Sequence, residues 1–248
     1  MTGSVADLEE AILLHRESLP LSPTSHPHHS TSLNSLGLGL VGRFTQTGSM
    51  TDLEEAILIH RETLSLCPAP HPRRSTSLNN LANALFYHFE QTDLMAGLQE
   101  VILLLRESLP ICPTPYRSDA LFNLVNALQN HFVQTGSMTD LEEAILLYHE
   151  SLSIRPSPHT IDPNCFKTLN SLASALGDRF GVTGSMSDLE EAISMLREAL
   201  SLGPSASYLQ CILGNLACFL EVRFQENGSQ SDFEEVISLR QEILAMSE

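Results

Sequence analysis

His26, His28 and His29, with His15 upstream, form the densest group of metal-capable side chains in the sequence. Metal binding needs such ligands to converge at fixed geometry, with partners that orient each ring. This group lies in a Pro-rich stretch whose counterparts further along read His71-Pro72-Arg73-Arg74 and Tyr116-Arg117-Ser118. It is read as linker, and neither a metal nor a cofactor is expected. Cysteine catalysis needs a thiolate beside a base. Cys67 and Cys112 sit at equivalent places before a proline, and Cys211 and Cys218 lie seven residues apart on one amphipathic segment. Core packing is the expected role of that last pair. Five scattered cysteines without a Cys-x-x-Cys suggest neither a disulfide framework nor a zinc knuckle, and mostly buried free thiols are expected. With no paired nucleophile and base and no phosphate loop, an enzyme is not expected.

The formal charge of -17, with 13 Lys and Arg against 30 Asp and Glu, opposes nucleic acid and anionic membranes as partners. No stretch approaches the roughly 20 apolar residues of a membrane span. Met1 to Glu10 lacks the parts of a signal peptide, so the cytoplasm is the expected compartment.

The elements that hold these residues repeat. Asp7-Leu8-Glu9-Glu10-Ala11-Ile12 returns at Asp52, Asp140 and Asp188, with weaker copies beginning at Gly97 and Asp232, at spacings of 45, 45, 43, 48 and 44 residues. That is the signature of stacked repeats. Each copy opens a helix with apolar residues such as Leu53, Ala56, Ile57 and Leu64, with His60 at the same spacing, and all but the last are followed by a proline. The Asp is read as the N-cap and the Glu three residues on as its capping-box partner, as in Asp52 with Glu55. Between these helices runs a second amphipathic segment, typified by Leu81, Leu85 and Phe89, that ends at Gly48, Gly136, Gly184 or Gly228, where a left-handed residue is wanted. Asp93 replaces that glycine in one copy, and Gly97 there replaces the Asp. Arg43, His88, His131, Arg179 and Arg223 recur before a phenylalanine near the end of this segment, where a cation suits the helix dipole. Of the 30 acidic residues, 22 fall in the Asp-led helices, and capping is read as the source of most of this acidity.

Two motifs together resemble the tetratricopeptide repeat (TPR). One is large–small–large in the first helix, as in Leu81-Ala82 with Leu85 and Leu172-Ala173 with Leu176. The other is small–large–small–Pro in the second helix, as in Ala144, Tyr148, Ser151 and Pro156. The repeat exceeds the family's usual length, with about seven extra residues extending the first helix through Arg43-Phe44-Thr45-Gln46, and it is similar to long-repeat TPR proteins of fungi. The resemblance implies an all-α, right-handed α-solenoid of antiparallel helix pairs with about eleven helices. One solenoid is expected over 1–248, with an orphan second helix at 5–20 and pairs at about 29–68, 74–113, 117–156, 163–204 and 206–246. Such ends lack the polar caps solenoids use, so either a piece of a longer array or end-to-end self-association is expected.

The resemblance further implies a protein-interaction scaffold whose first helices line a concave groove. The positions matching peptide contacts in the family are Asn79, Asn80 and Asn83, and comparable positions hold Asn34, Asn123, Asn126, Asn170 and Asn215. Asn79 and Asn83 share one side of a helix, and an amide offers both donors and an acceptor to a peptide backbone. An extended segment or helix of a partner is the expected ligand. Basic residues that would clamp a terminal carboxylate are not recognisable at these positions. The alternative function is a structural or regulatory array, and the alternative role for the amides is to bond neighbouring helices.

Overall fold

The computed structural model describes residues 4–21, 29–154 and 165–246. Among them are eleven α-helices and no strand. The helices are α1 (Val5–Ser18), α2 (His29–Thr47), α3 (Met50–Ser65), α4 (Arg74–Thr92), α5 (Met95–Ser108), α6 (Arg117–Thr135), α7 (Met138–Ser153), α8 (Cys165–Thr183), α9 (Met186–Ser201), α10 (Ala206–Asn227) and α11 (Gln230–Ala245). The fold class is the expected one, an all-α solenoid of antiparallel helix pairs of TPR type. Odd-numbered helices carry the Asp-led motif or, in α5, its Gly97 copy, and even-numbered helices are the first helices of each pair.

The chain divides into two compact units, residues 1–131 and 132–248. In the first, α2 packs on α1 and α3, and α4 packs on α3 and α5. In the second, α8 packs on α7 and α9, and α10 packs on α9 and α11. Each core is built from the stripes read in the sequence. Leu78, Leu81, Ala82 and Leu85 of α4 are buried with Leu98, Val101 and Leu105 of α5, and Leu169, Leu172, Ala173 and Leu176 of α8 with Leu189, Ala192 and Leu196 of α9. Small residues at Ala82 and Ala173 let the paired helices approach closely.

The turn inside each pair is short because its last residue is left-handed. Gly48 has φ 71 and Gly228 φ 70, and each donates its N–H to the carbonyl four residues earlier. Asp93 adopts the same region with φ 53, a conformation Asp tolerates better than most residues. The first helices run on past Arg43 and its counterparts, as the surplus length implied.

The capping assignment is corrected. The N-cap of α3 is Ser49, and that of α11 is Ser229. Each side-chain hydroxyl accepts from the backbone N–H of the Asp three residues on. Asp52 and Asp232 therefore occupy the third helical position and are buried. At α1 the two sides close into a full capping box, between Ser4 and Asp7. Gly97 occupies this third position in α5, whose N-cap, Leu94, makes no side-chain cap bond.

Candidate protein-interaction face

The buried aspartates meet the recurrent cations. Arg43 Nε donates to Asp52 Oδ2 at 2.6 Å and Nη2 to Oδ1 at 2.7 Å. Arg179 grips Asp188 at 2.8 and 2.7 Å, and Arg223 grips Asp232 at 2.7 and 2.8 Å, each pair nine residues apart across a turn. These cations are held by a carboxylate in the next helix, a stronger bond than attraction to a helix dipole. The arginine holds the Asp52 and Asp232 carboxyls below the usual carboxylate range, first through its hydrogen bond, against burial.

Glu55, read as a capping partner, instead accepts from Arg16 of α1 at 2.6 and 2.8 Å. Arg61 reaches Glu100 of α5 in the same way at 2.7 Å, and in the second unit Arg197 reaches Glu235 at 2.7 Å. Glu55, Glu100 and Glu235, three of the acidic residues ascribed to capping, thus serve ion pairs between successive second helices. The signal was present as the Arg-Glu dipeptides at 16–17, 61–62 and 197–198, but their partners are set by stacking.

The asparagines fall into two groups. Asn80 of α4 donates to Asn34 Oδ1 of α2 at 2.6 Å, and Asn215 of α10 donates to Asn170 Oδ1 of α8 at 2.9 Å. Each pair links neighbouring first helices and consumes part of the capacity available for a ligand. Asn79 is half-buried and its Oδ1 has no partner. Asn83 is exposed, whereas Asn123 and Asn126 are half-buried. The Asn126 backbone carbonyl accepts from Asn130 Nδ2 at 2.8 Å.

Within the first unit a cavity of about 220 Å³ opens between α2 and α4. It is lined by Thr31, Asn34, Cys67, Arg73, Thr76 and Ser77, among others. Arg73 donates to the Thr31 hydroxyl, and its carbonyl accepts from Ser77 Oγ at 3.2 Å. Five of its lining residues carry hydroxyls and it is bordered by the first turns of two helices, but the surface they present to the cavity is mostly apolar. Two exposed apolar side chains also stand at the asparagine registers. Leu38 stands in α2 at the register of Asn83 and is 48% exposed, and Phe122 stands in α6 at the register of Asn79 and is 52% exposed. The repeat alignment marks both positions.

The remaining chemical candidates resolve as follows. His26 and His28 lie outside the described residues, and His29 is buried in the first turn of α2. Among the described residues no group of three metal-capable side chains gathers. Cys67 and Cys165 are buried and Cys112 is half-buried. Cys211 and Cys218 are exposed, contrary to the expected core role, because they fall on the solvent side of α10 and leave Ile212, Leu216 and Leu220 to the core. His60 is fully buried against Gly37 with neither ring nitrogen bonded, and burial lowers its pKa to about 4. Among the described residues no helix is long and apolar enough to cross a membrane.

Residues 167–204, covering most of α8 and α9, match the tetratricopeptide repeat family model. Comparison with curated proteins gives no significant match. Among solved structures, the chain is similar to the nearly identical TPR-like repeats of a Podosopora anserina chain assigned to the kinesin light chains. That likeness has 20% identity and a TM-score of 0.59, covering 88% of this chain and 98% of that one. It is also similar to BtubC (BKLC) from P. vanneervenii, with 13% identity and a TM-score of 0.59, over 98% of this chain and 89% of the other. A third likeness, to a MamA RS-1 double mutant, has 16% identity and a TM-score of 0.54, over 85% of this chain and 96% of the other. The family's own signature thus stands at 167–204, and the described helices have the fold of TPR-like solenoids.

Proposed function

We propose that the chain is a protein-interaction scaffold, not an enzyme, and that its first unit binds an extended segment of another protein along the face presented by α2, α4 and α6. TPR-like repeats commonly serve as interaction scaffolds, and the observation that carries the reading further is the cavity between α2 and α4, which Asn34 helps to line. Beside it, Asn83 is exposed, as are Leu38 and Phe122 at matching registers. Amides and hydroxyls suit a peptide backbone, and the two apolar residues suit side chains on alternate positions of an extended strand. Asn34 and Asn80 hold the helices of the face at fixed separation, Asn83 and Asn126 make the ligand contacts, and Asn79 and Asn123 stand about one turn earlier on the same helices. Asn170 and Asn215 do for the second unit what Asn34 and Asn80 do for the first.

The test is capture of protein partners by the full chain beside an Asn83→Ala/Asn126→Ala variant with matched thermal melting. Partners retained by the wild type and lost by the variant support the face. Identical capture by both removes it.

A further inference from the structure

The face of the second helices that points away from the first helices carries an unexpected feature in the first unit. Leu13 of α1, Leu58 of α3 and Leu103 of α5 occupy one register of three successive repeats, and they are 56%, 68% and 65% exposed. The repeat does not require leucine there, because Ser194 in α9 and Ser238 in α11 hold the same register in equally regular helices. A serine would spare the exposed apolar surface, so the stripe has a cost that helix formation does not explain.

Beside the stripe, between α3 and α5, lies an open crevice of about 390 Å³. Leu64, Pro68, Leu81 and Leu104 contribute apolar lining, and the Arg61–Glu100 ion pair forms part of the rim. In α1 and α3, carboxylates four residues before and after the leucine flank the stripe: Glu9 and Glu17 around Leu13, and Glu54 and Glu62 around Leu58, all exposed. In α5 the flanking residues are Gln99 and Glu107, the latter held by Arg74 at 2.7 Å. Residues four apart share a helix face, so an apolar row runs between two acidic ones.

We propose that this face of α1, α3 and α5 docks a basic amphipathic helix of a partner protein, laid across the three helices. Its apolar side chains cover Leu13, Leu58 and Leu103 and reach into the crevice, while lysines or arginines on either flank meet the glutamates. Charge selects this occupant. A second copy of the chain would bring acidic rows against acidic rows, and an anionic lipid surface would be repelled by the same carboxylates.

The probe is a fluorescein-labelled synthetic helix with leucines along one face and lysines on both flanks, titrated against the full chain by fluorescence anisotropy. Leu58→Ser/Leu103→Ser borrows the side chain already present at Ser194 and Ser238, keeps the charge unchanged and is expected to melt as the wild type does. Nonspecific attraction to the acidic chain therefore survives in the variant, and only leucine-dependent binding is lost. The expected result is a weakening of about tenfold or more in the serine variant, with Asn83→Ala binding as the wild type. Equal binding by the serine variant overturns the proposal. So does equal binding of a control helix with glutamates in place of lysines. So does a wild-type dimer in light scattering that the serine variant dissolves, since the occupant would then be a second copy.

Discussion

The Arg43 guanidinium closes on the Asp52 carboxylate in a two-bond fork, at 2.6 and 2.7 Å, straddling the left-handed Gly48. The end of α2 and the start of α3 are thereby clamped to each other, and the same clamp joins α8 to α9 and α10 to α11. The aspartate is buried and the arginine side chain is 22% exposed, so removing one partner leaves a poorly solvated charge. Arg43→Ala should cost about 2 kcal/mol in denaturant unfolding. Arg16→Ala, which breaks the exposed pair to Glu55, should cost under about 1 kcal/mol. Equal costs would contradict the distinction. The Asp52 and Asp232 carboxyls are held low, so their contribution is present above the ordinary carboxylate range and is lost as pH falls through the lowered values.

The α4–α5 copy has neither member of the clamp, with His88 where Arg43 stands and Gly97 where Asp52 stands. A Cβ at Gly97 meets nothing within 4 Å, so the site has room for a side chain. His88→Arg with Gly97→Asp should raise the melting temperature by about 2–4 °C, the shift that about 1 kcal/mol gives in a chain of this size. Each single substitution should give less than half of that. Additive single effects would show that no clamp had formed.

His60 predicts a second acid effect at higher pH. Its ring is buried without a bonding partner, and its pKa falls from 6.5 to about 4. The unfolded chain therefore binds more protons between those values, and stability declines as pH falls from 6.5 towards 4, by about 3 kcal/mol in all. His60→Leu, the residue found at the equivalent positions Leu105 and Leu196, should remove this dependence. Urea unfolding of both chains at pH 7.5 and pH 5 checks it, and the same pH slope in the variant would contradict it.

Gly37 and His60 are coupled by space. A Cβ at Gly37 would lie 2.6 Å from His60 Cε1, whereas the equivalent positions of the next repeat hold Ala82 and Leu105, both buried. Gly37→Ala should destabilise by about 1–3 kcal/mol in the native chain through overpacking. In a His60→Leu background it should stabilise by up to about 1 kcal/mol, the helix propensity gained. A double-mutant cycle with no coupling would sink the assignment.

The fold was readable because its determinants are local and repeated. Apolar periodicity, the glycines closing the first helices and the spacing of the Asp-led motif place the helices. The cap of α3 was misassigned because Ser49 to Asp52 and Asp52 to Glu55 have the same three-residue spacing, and either can be read as a capping box. What decides between them is Arg43, nine residues from Asp52 and across a turn. The asparagines were legible as a group but not in their division. Asn80 bonds Asn34 although its repeat counterpart there is Ser35, an offset that only the stacking of α4 on α2 produces. Leu13, Leu58 and Leu103 look like core residues by type, and only the direction they face separates them from Leu53 and Leu98.

The most direct test of the binding face places a photo-activatable side chain at Asn83, at Asn126 and, as a control, at exposed Leu94 in the turn between α4 and α5. After irradiation with captured partners, the account predicts cross-links from positions 83 and 126 to one short partner segment and none from position 94. Cross-links from position 94 alone, or equal labelling from all three, would contradict it.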